Sequence, residues 1–263
     1  MVTELILPLL FGAIVGFSLG LTGGGGSIFA VPLLIFGLGT GVREAVGISL
    51  AAVGATALFG ALLRLRRGEV ELPTGLVFAA AGMLGAPLGT WIGAQLPDTV
   101  TLVGFATLMG LVGIRMWRGS VETQTGRSTC ARDESGKLTW NTECAAGLTL
   151  VGLLAGILSG IFGVGGGFII VPALILATRM PVHRAVSTSL LVISLICLSG
   201  IISYAWTGPA ISPSTTSVFV IGGFVGMFAG AALRSQLPTR TLNRIFAAGM
   251  WAVSVWIVLR TAN

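Results

Sequence analysis

Charge is scarce in this sequence. Charged residues occupy 9% of its 263 positions, whereas an ordinary soluble domain carries about 25%. Hydrophobic residues make up 54% of the chain, and the mean hydropathy is +0.97. Several apolar stretches reach the roughly 18–20 residues that a helix needs to cross a bilayer. The composition excludes a soluble globular protein and predicts an all-α polytopic membrane protein.

Acidic residues, histidine and cysteine are scarcer still, numbering nine, one and three. All nine carboxylates fall in loops or near the ends of apolar spans, so none is available inside the membrane to carry a proton or bind sodium. Neither glycine cluster is followed by the Lys-Ser or Lys-Thr of a nucleotide-binding loop, and the cysteines lack CxxC spacing. We therefore expect no enzyme activity, no cofactor and no metal site.

Basic residues are in excess, and the formal net charge is +6. They are scattered over short loops rather than clustered, which is typical of topology signals in membrane proteins. We therefore expect the lipid bilayer, and no nucleic acid, as a partner.

Glycine is abundant, with 40 residues, and two glycine clusters interrupt long apolar stretches. The first is LTGGGGSIFAVP over residues 21–32, and the second is IFGVGGGFIIVP over residues 161–172. Each glycine inside a helix costs about 1 kcal/mol relative to alanine, and a broken helix leaves backbone groups that lipid cannot satisfy. The clusters predict two broken helices whose exposed backbone meets protein, water or a ligand.

The two halves of the chain repeat one another at an offset of 140 residues. The matches include glycines, prolines and a serine, which chance does not keep in register over a whole half: Gly12, Gly16, Gly20, Pro32 and Ser49 recur as Gly152, Gly156, Gly160, Pro172 and Ser189. We divide the chain into repeat one (residues 1–117), a polar linker (118–142) and repeat two (143–263). Each repeat is predicted to hold one broken hairpin and three transmembrane helices. The expected spans are residues 45–63, 73–95 and 99–117 in repeat one and 185–206, 216–233 and 241–259 in repeat two.

The distribution of arginine and lysine decides between two topologies. If each glycine segment crosses the membrane once, the 15 basic residues divide 9 to 6, which shows no bias. If each segment is a re-entrant hairpin, thirteen basic residues lie on one side and only Arg43 and Arg260 on the other. Hairpins are therefore favoured, although two full spans joined by surface turns stay open as the alternative.

Hairpin topology has direct consequences for orientation. Each repeat then crosses the membrane an odd number of times, so the two repeats are inverted relative to each other. We expect a multi-pass protein of the cell inner membrane, with a cytoplasmic linker and both termini outside. A disulfide between Cys130 and Cys144 is disfavoured, because the cytoplasm is reducing.

The hairpin tips are the candidate substrate site. Backbone N–H groups that begin the second half-helix of each hairpin carry partial positive charge and suit an anion. The candidate substrate-binding residues are Thr22, Gly23, Gly24, Gly25, Gly26, Ser27, Ser49, Gly163, Gly165, Gly166, Gly167, Ser187 and Ser189. The candidate gating or entrance residues are Arg43, His183 and Arg184. Two structural roles compete with these: glycines that only pack helices, and hydroxyls that bond to their own helix.

The two glycine clusters, with the Gln-Leu-Pro turns at Gln95 and Gln236, resemble the duplicated motif of the sulfite exporter TauE/SafE family. The likeness covers essentially the whole chain. It implies a bacterial or archaeal inner-membrane carrier for small sulfur-containing anions such as sulfite or organosulfonates. Members differ in substrate, so the family name alone does not identify the anion.

Together these observations predict a secondary transporter that exports a small sulfur-containing anion by alternating access around a midplane site. Moving one negative charge out of a cell gains about 2.3 kcal/mol per 100 mV, so export needs no coupling ion. A passive anion channel and a non-transporting scaffold subunit are the alternatives. The sequence leaves open whether the glycine faces also join two copies into a homodimer.

Overall fold

The structure is a computed structural model that describes residues 2–117, 130–132, 138–139, 141–233 and 239–262. Within these ranges the chain forms ten helices. Those of the first half are α1 (Val2–Thr22), α2 (Gly25–Gly37), α3 (Val42–Leu65), α4 (Leu72–Gln95) and α5 (Asp98–Trp117). Those of the second half are α6 (Thr142–Phe162), α7 (Gly167–Thr178), α8 (Val182–Thr207), α9 (Pro213–Leu233) and α10 (Thr239–Ala262). Two antiparallel strands of two residues each, β1 (Ala131–Arg132) and β2 (Leu138–Thr139), lie between the halves.

Six of the described helices are long and apolar enough to cross a membrane: α1, α3, α4, α6, α8 and α9. The prediction of a multi-pass, almost entirely helical membrane protein is therefore confirmed. Helices also cover the remaining predicted spans, residues 99–117 and 241–259, as α5 and α10. Their crossing of the membrane stays a prediction.

Glycine faces bring the two halves of the chain together. Helix α1 lies parallel to α9, because Gly12, Gly16 and Gly20 approach Phe219, Gly223 and Met227 in turn. A Cβ atom on Gly16 would overlap the carbonyl oxygen of Gly223. Such small-residue faces let helix backbones approach closely in a membrane. The glycine faces that could have joined two copies are thus used inside one chain.

The same packing recurs between α6 and α4. A Cβ atom on Gly156 would overlap the carbonyl oxygen of Gly82, and Gly156 is the residue that matches Gly16 at an offset of 140. In each case a first helix of one repeat packs on the third long helix of the other. The repeats therefore interlock rather than lie side by side.

At the centre of the molecule, α3 and α8 pack antiparallel. Gly47 approaches Tyr204, Gly54 approaches Cys197, and Gly60 approaches Leu190, so one sequence number rises as the other falls. Leu50, Ile193 and their neighbours along this pair are fully buried. The hydrophobic core sits here, and the two glycine breaks lie against it.

Both broken segments return along the helix that precedes them. A Cβ on Gly26 would meet Ser18, and a Cβ on Gly37 would meet Phe11, so α2 runs back beside α1. In the second half, a Cβ on Gly166 would meet the Ala155 carbonyl at 3.1 Å, which places the start of α7 beside α6. This antiparallel return is the geometry that the hairpin interpretation requires.

The expectation about the cysteines is wrong. Cys130 and Cys144 form a disulfide, and both residues are buried. The backbone N–H of Cys130 also donates to the carbonyl of Ala177 at 3.1 Å, which holds the linker against the end of α7. Burial hinders attack by thiols on a disulfide. The prediction considered only the reducing cytoplasm and did not take this protection into account.

Candidate functional site

The two glycine breaks meet in the structure. We call residues 22–27 tip 1 and residues 163–167 tip 2. A Cβ on Gly24 would lie 2.7 Å from the Cα of Gly167, so the two backbones are in direct contact. Both glycines are buried. Residues that lie 143 positions apart in the chain thus form one buried junction.

Positive backbone dihedrals explain why these positions are glycine. Gly23 has a φ of 75°, and Gly163, Gly165 and Gly166 have φ values of 69°, 70° and 67°. Only glycine adopts this left-handed region without a steric cost from Cβ. The consecutive glycines therefore turn the chain at each tip, in addition to allowing the close contact between tips.

Two of the predicted hydroxyls hold the tips in place, and they do so crosswise. The Ser49 hydroxyl on α3 donates to the carbonyl of Gly163 at 2.6 Å, and the Ser189 hydroxyl on α8 donates to the carbonyl of Gly23 at 2.6 Å. All four residues are buried. Each repeat therefore secures the tip of the other repeat. Ser189 also bonds to the Val186 carbonyl of its own helix at 2.9 Å, as the structural alternative expected.

The hydroxyls inside tip 1 bond to its own backbone. Thr22 donates to the carbonyl of Ser18 at 2.7 Å and accepts from the N–H of Gly26 at 3.2 Å. Ser27 donates to the carbonyl of Gly24 at 2.7 Å. These bonds shape the turn and leave the hydroxyl oxygens as acceptors, so an anion at tip 1 depends on backbone N–H groups.

A hydroxyl that sequence reasoning missed lies one turn before tip 2. Ser159 is fully buried, and its Oγ has no hydrogen-bond partner among the described residues. Leaving a buried polar group unsatisfied costs about 1–3 kcal/mol. The residue that matches Ser159 in the first repeat is the apolar Leu19. This difference between matched positions was the signal in the sequence that could have pointed to Ser159.

On the side of the linker, tip 1 borders a cluster of polar side chains. Arg64 of α3 is only 7% exposed. Its guanidinium donates to the Ser187 hydroxyl at 3.2 Å and to the Gly20 carbonyl at 3.3 Å. Ser187, a predicted site residue, has one hydroxyl hydrogen, and two acceptors share it: the His183 carbonyl at 2.9 Å and Glu69 Oε2 at 3.2 Å.

From the sequence, Arg64 is predicted only as a topology signal just after the span 45–63. The repeat contained the missing information, because the residue that matches Arg64 at an offset of 140 is Tyr204, which is still within α8 in its last turn. Helix α3 continues to Leu65, so Arg64 belongs to the packed part of the helix. His183 and Arg184, the predicted entrance residues, are exposed in the first turn of α8.

A cavity opens at the opposite end of the α3–α8 pair. Its lining includes Arg43, Val46, Gly160, Tyr204 and Pro209. The Tyr204 hydroxyl donates to the backbone carbonyl of Arg43 at 2.9 Å. Arg43, predicted as an entrance residue, is exposed at this cavity, whereas His183 and Arg184 belong to the other end of the pair.

Comparison with known proteins assigns the family. The profile of the sulfite exporter TauE/SafE family matches residues 8–257. The chain belongs to the TauE/SafE family. The resemblance drawn from the glycine clusters is thereby confirmed, and with it the conclusion that this protein is a membrane transporter.

Relatives of this TauE/SafE protein span most of its length. It is 36% identical over 263 residues to a probable membrane transporter protein of Xylella fastidiosa, covering 99% of this chain and 97% of the relative. It is 27% identical over 254 residues to the probable membrane transporter protein YunE of Bacillus subtilis, covering 91% and 92%. A probable membrane transporter protein of Methanocaldococcus jannaschii is 29% identical over 209 residues, covering 76% and 73%. No solved structure matches the chain.

Proposed function

We propose that this protein is a secondary transporter of the inner membrane that exports a small sulfur-containing anion. The observation that carries the proposal is the buried contact between Gly24 of tip 1 and Gly167 of tip 2. Broken helices whose ends meet near the bilayer midplane are where secondary transporters bind substrate. The family name supports the chemical class of the substrate, sulfite or an organosulfonate.

Inverted repeats are part of the proposal. The matched glycine contacts, the antiparallel α3–α8 pair and the antiparallel return of both hairpins support it. With this topology, the linker and thirteen of the 15 basic residues lie on the cytoplasmic side and both termini lie outside. The buried disulfide next to the linker favours the opposite, oxidising compartment, and the large excess of basic residues outweighs it in our assignment.

The anion site is proposed at the junction of the tips. Helix α7 begins at Gly167 and α2 begins at Gly25, so the positive ends of two half-helices face this region. Ser159 supplies a buried hydroxyl that a bound anion would satisfy. The other predicted tip residues contribute backbone, which Ser49 and Ser189 hold in position. The N–H groups of four of them already donate to protein oxygens and are not counted as anion ligands: Gly23, Gly26, Ser27 and Gly163.

Transport by this site would be electrically driven. Export of one negative charge from a negative cell interior is favourable by about 2.3 kcal/mol per 100 mV. The tips are in contact, which suits a carrier that alternates between two closed arrangements better than a continuously open pore. The two hairpins and the crosswise serines are the parts that would rearrange.

Counterflow in proteoliposomes tests the proposal. Vesicles preloaded with unlabelled sulfite or sulfoacetate are expected to accumulate the labelled anion transiently, because a carrier exchanges substrate faster than it moves net charge. Flux without accelerated exchange would identify an anion channel instead. A protein that folds but moves neither anion would be a scaffold with respect to these substrates, and the proposal would be wrong.

The variant Ser159→Ala tests the placement of the site. Since this hydroxyl has no partner among the described residues, its removal should leave the unfolding temperature unchanged or raise it. Loss of a ligand hydrogen bond should at the same time weaken anion affinity by about threefold to tenfold. Ser217→Ala on α9 is the matched control, because that hydroxyl is exposed and bonds within its own helix. Unchanged anion affinity in Ser159→Ala would show that Ser159 does not contact the anion, and the placement of the site at tip 2 would be wrong.

A further inference from the structure

The two ends of the α3–α8 pair are equivalent in the repeat but different in structure. Three residues that line the open cavity, Gly160, Tyr204 and Pro209, match Gly20, Arg64 and Glu69 at an offset of 140. At the linker end, the Arg64 guanidinium bonds to the Gly20 carbonyl at 3.3 Å. Matched positions therefore line a cavity at one end of the pair and include a hydrogen-bonded charged side chain at the other.

Packing does not require a charge at this place. Tyr204 occupies the matched position with an uncharged ring that packs against Gly47. Arg64 instead meets Ser187, which is the residue that matches Gly47. At the cavity end, the α3–α8 pair is thus built with Gly47 and Tyr204, without a charge. Arginine and serine at the linker end need another explanation.

Burial makes Arg64 an expensive residue for a purely structural role. It is 7% exposed, and Ser187 and Thr188 beside it are fully buried. A buried charge requires hydrogen bonds and compensating charge. Arg64 has the Ser187 hydroxyl and a helix-end carbonyl, and the Glu69 carboxylate accepts from the same Ser187 hydroxyl at 3.2 Å. A basic group and a carboxylate therefore share one hydroxyl next to tip 1.

We propose that Arg64 and Ser187 form the anion-binding gate on the linker side of tip 1, and that the substrate anion displaces the Glu69 carboxylate from the Ser187 hydroxyl. The inference rests on the proposed transport function and adds to it a named cation and a side. A guanidinium is planar and presents parallel N–H donors, which match two oxygens of a sulfur oxyanion. Glu69 is half-buried on the short loop between α3 and α4, so it can leave without disturbing a helix.

The gate explains the difference between the two ends. In the arrangement described here, the cavity end is open and the linker end is closed by Arg64, Ser187 and Glu69. When the linker end opens, an anion takes the place of the Glu69 carboxylate oxygen on Ser187 and binds to the Arg64 guanidinium beside it. Because Glu69 and the anion compete for the Ser187 hydroxyl, binding of substrate is coupled to opening.

Anion affinity of purified variants tests this inference. Sulfite binding to detergent-solubilised Arg64→Gln is expected to weaken at least tenfold, the size of a lost charge-assisted hydrogen bond. The matched control is Arg66→Gln, which removes an exposed charge from the same end of α3 and should change affinity less than twofold. Glu69→Gln should bind sulfite at least twofold more tightly, because the competing negative charge is gone. Wild-type affinity in Arg64→Gln would overturn the inference.

Sidedness provides a readout that a structural role would not affect. In right-side-out and everted vesicles, Arg64→Gln should raise the half-saturating sulfite concentration when sulfite is supplied on the linker side only. An equal rise on both sides would overturn the assignment to a linker-side gate. If Arg64→Gln does not fold, Arg64→Lys and Glu69→Gln decide: weaker binding in the first with tighter binding in the second supports the gate, and unchanged affinity in both refutes it.

The two levels of proposal fail in distinguishable ways. Wild-type protein that moves neither sulfite nor sulfoacetate refutes the transport function and this inference together. Wild-type counterflow with unaltered affinity in the Arg64 and Glu69 variants refutes the gate alone.

Discussion

The substitution Gly24→Ala should show whether contact between the two tips contributes to stability and transport. In Gly24→Ala, the new Cβ would lie 2.7 Å from the Cα of Gly167 and 2.8 Å from its carbonyl carbon and oxygen. Ordinary carbon–carbon contacts are about 3.5–4.0 Å, so three backbone atoms would be about 1 Å too close.

The neighbouring glycine is the matched control. In Gly25→Ala the nearest atom is the Thr22 hydroxyl oxygen at 3.3 Å, which can move by a few tenths of an ångström. We expect Gly24→Ala to lower the free energy of unfolding by about 1–3 kcal/mol, the usual cost of overpacking, and to reduce counterflow strongly. Gly25→Ala should lose less than about 1 kcal/mol.

Unfolding in mixed detergent micelles and counterflow in proteoliposomes measure the two effects on the same preparations. Our reasoning fails if Gly24→Ala matches the wild type in both, since the tips would then not be in contact. It also fails if both variants lose stability equally, because that result would reflect helix propensity rather than the junction of the tips.

Three further outcomes are expected. Ser49→Ala removes the bond to tip 2 and leaves a buried carbonyl unsatisfied, so the free energy of unfolding should fall by about 1–3 kcal/mol. Thr107→Ala is the control: it loses an exposed bond within one helix and should change the free energy of unfolding by less than about 0.5 kcal/mol. Gly16→Ala should lower the free energy of unfolding by about 1–3 kcal/mol, because the new Cβ forces α1 and α9 apart. Gly41→Ala has no atom within 4 Å of the new Cβ and should leave the unfolding temperature unchanged. Maleimide labelling of denatured protein should modify one cysteine, Cys197, before reduction and all three after it; three modified thiols without reduction would disprove the disulfide.

The crosswise serines have a mechanical consequence for transport. Because Ser49 of repeat one holds tip 2 and Ser189 of repeat two holds tip 1, neither hairpin can move without breaking a bond to the opposite repeat. The two tips are also in backbone contact at Gly24 and Gly167. Coupled movement of both hairpins is therefore the arrangement that these contacts favour, as alternating access requires.

Local patterns predicted the helices well because each has a local cause. The helix expected from Pro73 to Gln95 spans Leu72–Gln95, since proline is accepted in the first turn and Leu96-Pro97 ends the helix. The span expected over residues 185–206 spans Val182–Thr207. In both cases the apolar length and the flanking residues lie within one stretch of sequence, so no distant contact was needed.

Membership of a transporter family, the helical membrane class and the duplication all follow from the sequence alone, because composition, apolar length and repeated glycine clusters are properties of the chain itself. Tertiary structure decided which groups meet. Only the fold brings Ser49 to tip 2, Ser189 to tip 1 and Gly24 to Gly167. It also moves Arg64 from a presumed surface signal to a buried partner of Ser187. These contacts join residues more than 100 positions apart, and no local pattern in the sequence specifies such distant partners.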